Sequence, residues 1–178
     1  MGLVDKLKQE FDLSVEWLGF EIHPDTPPGG TPLATMFPRA DVDSMTRRLN
    51  SMGAPFGLIF QKIVNISNSR LSLEASEFAK EQGRFGQFHH AVFQSYFSQG
   101  KDIGNVDVLK QIGTKAGLDA DALGKALQTD TYRRVREAAK EEAARLGITA
   151  APTFIFNEKD RIVGAQPIEV FRERLKTL

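Results

Sequence analysis

The chain has no cysteine in its 178 residues. That removes a disulfide, a thiolate metal site and a cysteine nucleophile from these residues at once. No apolar run comes near the roughly 20 residues that a membrane-spanning helix needs. The opening Met1-Gly2-Leu3-Val4-Asp5-Lys6 has neither a signal-peptide core nor the hydroxyl residue of a myristoylation site, so a cytoplasmic protein without membrane contact is expected. Charge of one sign is also missing: 23 lysines and arginines meet 23 aspartates and glutamates. Nothing electrostatic then favours nucleic acid as a partner. His89 and His90 are adjacent, and on a helix they point about 100° apart, so they cannot chelate one ion as an i, i+4 pair could. No metal site is expected, and His23 reads as a solvated loop residue. Gly29-Gly30 lacks the spaced glycines of a phosphate loop and reads as a turn, which leaves no cofactor expected.

What is present is mostly helical periodicity. Leu3, Val4, Leu7 and Phe11 form an apolar stripe that opens the chain inside a helix, without an N-cap residue before it. Leu13, Val15 and Trp17 alternate with Ser14 and Glu16, which predicts a strand over Leu13 to Ile22. His23 to Pro38 holds five prolines and Gly29-Gly30 and reads as a loop. A helix is expected from Asp41 to Met52, closed by Gly53, then an extended piece at Gly57-Leu58-Ile59-Phe60. Four helical faces follow. Leu71, Ala75, Phe78 and Ala79 lie behind Asn68 as a cap; Phe85, Phe88, Val92, Phe93 and Tyr96 come next; then Val108, Leu109 and Ile112; then Leu118, Ala122, Leu123 and Leu127. The aromatic series Phe85, Phe88, Phe93, Tyr96 and Phe97 reads as core packing rather than a cofactor pocket. A long helix from Thr131 carries Tyr132, Val135, Ala139, Ala143 and Leu146 inward and stops at Gly147. Thr153-Phe154-Ile155-Phe156, a turn, and Arg161-Ile162-Val163 make a hairpin, and a last helix after Pro167 turns Val170, Phe171 and Leu175 inward.

Five blocks in order carry a resemblance. They are Asn65 to Gly83; Phe93-Gln94-Ser95-Tyr96-Phe97 with Gly100-Lys101-Asp102-Ile103; Gly117-Leu118-Asp119; Gly147-Ile148-Thr149-Ala150-Ala151-Pro152-Thr153-Phe154; and Gly164-Ala165-Gln166-Pro167. Together they resemble the DsbA-like thiol oxidoreductases, and within them the cytoplasmic FrnE branch, over almost the whole chain. From chemistry alone, a proline at a strand's first residue is most simply trans. The resemblance instead implies a cis Ala151-Pro152 bond, with Ala151, Pro152 and Thr153 as the substrate-binding residues. It also implies an α/β fold: a thioredoxin-like sheet from 1–64 and 131–178, with an all-helical insertion at 65–130.

The chain departs from that family where the chemistry should lie. The family opens with a strand and a Cys-x-x-Cys at a helix start, where the helix N-terminus favours a thiolate. No residue here can take that role, so no catalytic residue is assigned and the chain as given is expected to be inactive. Ala151 stands where many members carry valine or threonine, a difference that bears on substrate preference. Three functions remain open. One is a thiol-disulfide oxidoreductase acting on protein or peptide thiols, its N-terminal strand and redox motif missing by truncation. Another is a glutathione-dependent relative, either of 2-hydroxychromene-2-carboxylate isomerase or of kappa-class transferases, in which the backbone beside Pro152 would pair with glutathione. The third is a non-catalytic binding or assembly module. In the resembled fold the first strand is central, which leads to the expectation that Leu13 to Ile22 and Thr153 to Phe156 lack a neighbour and that the chain self-associates as a homodimer.

Overall fold

The computed structural model describes residues 2–38 and 41–178. Two packing units divide the chain. Residues up to Ile22 and from Ala139 to Leu178 form a terminal unit, and His23–Ala138 form a helical unit. Residues 23–64 thus pack with the helices and not with the chain ends. The expected domain boundaries at 64/65 and 130/131 describe a family layout and not this division by packing.

In the terminal unit, helix α1 (Gly2–Glu10) buries Val4 and Leu7. Strands β3 (Thr153–Phe156) and β4 (Asp160–Val163) make an antiparallel hairpin, with Thr153 opposite Val163 and Phe156 opposite Asp160. Its turn places Asn157 and Glu158 at positive φ. Helix α9 (Ile168–Leu175) follows. Leu7, Ile162 and Phe171 form the core of this unit, and Leu3, Phe11, Leu13, Phe154, Phe156, Ile168 and Leu175 pack on it. A fork of two hydrogen bonds ties α1 to α9: the Arg172 guanidinium donates at 2.7 and 2.6 Å to the two Glu10 carboxylate oxygens. Val170, expected inward, is exposed. It sits one residue before Phe171, about 100° round the helix from that buried ring.

The strand expected over Leu13 to Ile22 is not a paired strand. The four strands of the described residues lie elsewhere, yet burial over this stretch keeps the period of a strand. Phe11, Leu13, Val15 and Trp17 are half-buried, whereas Asp12, Ser14, Glu16 and Leu18 are exposed. Side-chain alternation alone follows from the apolar pattern, but a ladder also needs a neighbour.

The helical unit begins with the proline-rich segment, which holds more structure than the loop expected there. Strand β1 (Thr31–Pro32) pairs with β2 (Asn65–Ile66), and a short helix α2 (Leu33–Met36) follows. Gly30 makes the approach possible. It sits at φ +83°, and a Cβ there would meet the Asn65 Nδ2 at 2.3 Å. Helix α3 (Val42–Gly53) starts on Asp41, whose carboxylate accepts the Ser44 N–H at 2.9 Å. Asn50 on α3 grips the extended stretch beyond. Its Nδ2 donates to the Phe60 carbonyl at 2.8 Å, and its Oδ1 accepts the Phe60 N–H at 2.9 Å.

Then come α4 (Arg70–Glu81), α5 (Phe85–Phe93), a π-helical turn (Gln94–Ser98), α6 (Val106–Lys115) and α7 (Ala120–Gln128). Asn105 and Asp119 cap α6 and α7 through their side chains. Asn68 bonds the Arg70 N–H, so it supports the start of α4 from one residue ahead of the N-cap, Ser69. Helix α8 (Arg133–Arg145) contains the boundary between units, and Gly147 follows it at φ +63°. Val135, expected inward, is exposed. The core is continuous from Ala75 through Phe78, Phe88, Leu109, Ile112, Leu123 and Leu127 to Tyr132. Beside it Arg136 donates to the Glu74 carboxylate at 2.9 Å, with the Glu74 side chain only 4 % exposed. The second Glu74 oxygen is buried without a hydrogen bond.

Candidate functional site

The sequence points to Ala151, Pro152 and Thr153, and the structure places them together on the rim of the terminal unit. Ala151 and Pro152 are exposed and Thr153 is half-buried. The Ala151–Pro152 peptide bond is cis. The turn is held from three sides. Thr153 Oγ1 donates to the Ala150 carbonyl at 2.7 Å, the Gly164 N–H donates to the Pro152 carbonyl at 2.8 Å, and Gln166 Nε2 donates to the Val163 carbonyl at 3.2 Å. Gly164 can do this because it sits at φ +83°, where a side chain would be strained.

The register decides which backbone groups are available. In an antiparallel pair, hydrogen-bonded and non-hydrogen-bonded positions alternate. Because Pro152 and Gly164 are joined by a hydrogen bond, Phe154 and Phe156 direct their backbone groups at β4, and Thr153 and Ile155 direct theirs away from it. The outer edge of β3 therefore offers the N–H and C=O of Thr153 and Ile155 to an incoming chain. No other strand of the described residues pairs with that edge. Sequence reasoning named Thr153 but missed Ile155 and Gly164. The signal was there in the alternation of Phe154 and Phe156 with Thr153 and Ile155, once the register is known.

Neither remaining candidate region offers competing chemistry. The aromatic series is only partly core. Phe88 is fully buried, but Phe93 is half exposed, and Phe85, His89, Phe93 and Phe97 stack in turn along one side of α5 and the π turn. The correction has a helical cause, since i, i+4 spacing stacks these rings into a column whichever way the column faces. His89 lies flat against Phe93, with ring centroids 4.6 Å apart. Burial among the rings pushes its pKa down to about 4, and nearby Lys80 and His90 act in the same direction. A cavity of about 60 Å³ lies within the helical unit, lined by Lys62, Asn65, Ser67, Tyr96 and Lys101 among others. Tyr96 spends its hydroxyl on the Asn65 carbonyl at 3.2 Å, and Lys62 pairs with Asp43 at 2.8 Å. Among the described residues no group of three or more His, Asp or Glu side chains is placed to hold a metal ion, and no helix is long and apolar enough to cross a membrane.

Known proteins share this arrangement. The Bacillus subtilis (strain 168) protein YwbO, described as uncharacterized, is 30% identical over 169 residues, which is 92% of this chain and 82% of YwbO. The crystal structure of a probable DsbA oxidoreductase, SCO1869 from Streptomyces coelicolor, superposes with a TM-score of 0.89 at 24% identity, covering 99% of this chain and 81% of that one. The family model of the DSBA-like thioredoxin domain matches residues 3–176. From its hairpin, its helical unit and this match over nearly its full length, the chain belongs to the DSBA-like thioredoxin domain family.

Proposed function

We propose that this chain is the substrate-binding body of a FrnE-type thiol-disulfide oxidoreductase whose redox dithiol lies outside these 178 residues. One observation carries the proposal: in a member of the DSBA-like family, the turn at Ala151-Pro152-Thr153 is exposed and continues into a strand edge with open backbone groups. An extended peptide pairs with such an edge through its main chain, which holds a substrate disulfide in place without reading its sequence. Ala151 and Thr153 then position the peptide, and a thiolate at a helix start performs the exchange. That thiolate attacks one substrate sulfur and displaces the other as a thiolate; the resulting mixed disulfide is resolved by the second cysteine. In the family layout, 1–64 and 131–178 are the thioredoxin-like part and 65–130 the helical insertion. A cytoplasmic setting and a homodimer belong to the same proposal, the dimer because a second copy is a ready source of partners for open strand edges.

The chain alone is expected to show no thiol titre and no dithiothreitol-dependent reduction of insulin. The same assay on a version extended by the DNA-encoded residues ahead of Met1 should show reduction, with a strand and Cys-x-x-Cys in that extension. A stop codon directly ahead of Met1, or an extended protein that fails to reduce insulin, overturns the oxidoreductase reading. A serine in place of the first cysteine would turn the assignment to the glutathione-dependent branch, for the open edge suits the cysteinyl main chain of glutathione equally well. A binding module without catalysis is the outcome if neither residue is encoded.

A further inference from the structure

We infer that the terminal unit is a strand acceptor, taking an extended peptide with apolar side chains on both faces between residues 13–18 and β3. Three observations converge. Leu13 packs on the same core as Phe154, Phe156 and Ile162, so the extended segment and the hairpin cover one apolar floor. The two pieces nevertheless belong to no common ladder. Finally, β3 directs the donors and acceptors of Thr153 and Ile155 outward, as the register requires. Two strand-like edges on one floor, neither bonded to the other, are the arrangement that an added strand completes.

The faces specify what the strand must carry. On the inner face it meets Leu13, Val15, Phe154 and Phe156. The outer face is apolar as well: Leu18 is 53% exposed, Ile155 38% and Val163 48%. A strand with apolar neighbours on both faces reads as a near-continuous apolar run instead of an alternating one. The source is chain of the kind the relatives possess. This chain matches 82% of YwbO and 81% of SCO1869, so about a fifth of each lies outside the match, and a strand needs only about five or six residues. An apolar strand of that class, supplied in trans, therefore binds the 178-residue chain.

This deepens the proposed function by naming what completes its sheet, and it is tested without any redox chemistry. The probe is the synthetic peptide Lys-Val-Ile-Val-Phe-Ile-Val-Lys, added to the full chain, with a control peptide carrying proline at alternate positions that cannot donate to a ladder. Amide exchange at Leu13, Val15, Thr153 and Ile155 should slow by on the order of tenfold or more. Trp17 fluorescence should shift saturably, and the control should do neither. Protection of only one edge, no protection, equal protection by the control, or edges already protected in the free chain by a second copy would each overturn the inference. The probe has no cysteine, so its failure to bind leaves the insulin assay to judge the oxidoreductase reading, and a failed insulin assay leaves a bound probe standing.

Discussion

The helical unit and the terminal unit solve the same problem with different resources. Helices α4 to α7 satisfy their backbone groups internally and need neighbours only for their apolar faces, which they find in one another from Ala75 to Leu127. The terminal unit relies on Leu7, Ile162 and Phe171, and its sheet depends on strands that must come from elsewhere in space. A helix is complete within its own sequence, whereas a strand is complete only beside another. The two units should therefore differ in how local their stability is and in what breaks them.

The largest expected effect is at Phe171, fully buried at the centre of the smaller core. Phe171→Ala should cost about 3 to 5 kcal/mol. Amide exchange should rise first in residues 2–22 and 139–178, with the helical unit keeping its protection. Equal loss in both units would break the comparison.

Arg136→Met tests the helical unit in the same way. It leaves the Glu74 carboxylate buried without its partner, a change that should cost about 3 kcal/mol. Adding Glu74→Gln should recover part of the loss in a denaturant midpoint. A single variant as stable as the parent would show that the ion pair contributes nothing.

A smaller loss is expected from Gly30→Ala. The new Cβ would lie 2.6 Å from the Ile66 carbonyl at a backbone position of φ +83°, so about 1 to 3 kcal/mol should be lost. The β1–β2 pair should loosen, visible as faster exchange near Asn65 and Ile66.

Below that comes a pH effect confined to the helical unit. His89 has its pKa lowered to about 4 by burial, whereas an unfolded histidine titrates near 6.5. The unfolded state binds the proton first, so stability is fully present above about pH 6.5 and is lost as pH falls toward 4. Because the ring keeps an exposed edge, about 1 kcal/mol is a fair size once solvent screening is allowed for. The parent-minus-variant difference in Tm for His89→Gln across that range isolates it. A flat difference would place His89 in water.

The smallest effect is at Glu10, whose carboxylate Arg172 holds below its ordinary pKa through the two-bond fork. Glu10→Gln should lower Tm slightly, and less so in high salt. The loss should appear at neutral pH and vanish as acid protonates Glu10 in the parent.

Much of this was legible in the sequence because apolar spacing reports burial directly. The stripes through Leu71 to Ala79 and Leu118 to Leu127 become helices where expected, and Thr153 to Val163 becomes the hairpin. Leu13 to Leu18 shows what spacing cannot report. Its alternation specifies which side chains face inward, but pairing depends on a second segment. The β1–β2 pair was hidden for a related reason, since Thr31-Pro32 carries no alternation and joins Asn65-Ile66 through backbone geometry at Gly30. At the candidate site, the residues Ala151 to Thr153 came from a family likeness and not from chemistry, because a short Ala-Pro-Thr run has no titratable group to mark it.

Asn50 carries a consequence for the ageing of the protein. Its side-chain amide faces the Phe60 peptide group with one donor and one acceptor, and its Nδ2 also reaches the Thr46 carbonyl at 3.0 Å. Hydrolysis of that amide, a slow spontaneous reaction of asparagine, would replace the donor by a carboxylate oxygen. An ionised carboxylate can only accept, so it would face the carbonyls of Thr46 and Phe60 with no hydrogen to share. One grip on the 57–60 stretch would become a repulsion, without any change in the length or order of the chain. Protein stored at high pH should thus gain one negative charge and lose its hold on Phe60 together, and Asn50→Asp should reproduce the aged form on the first day.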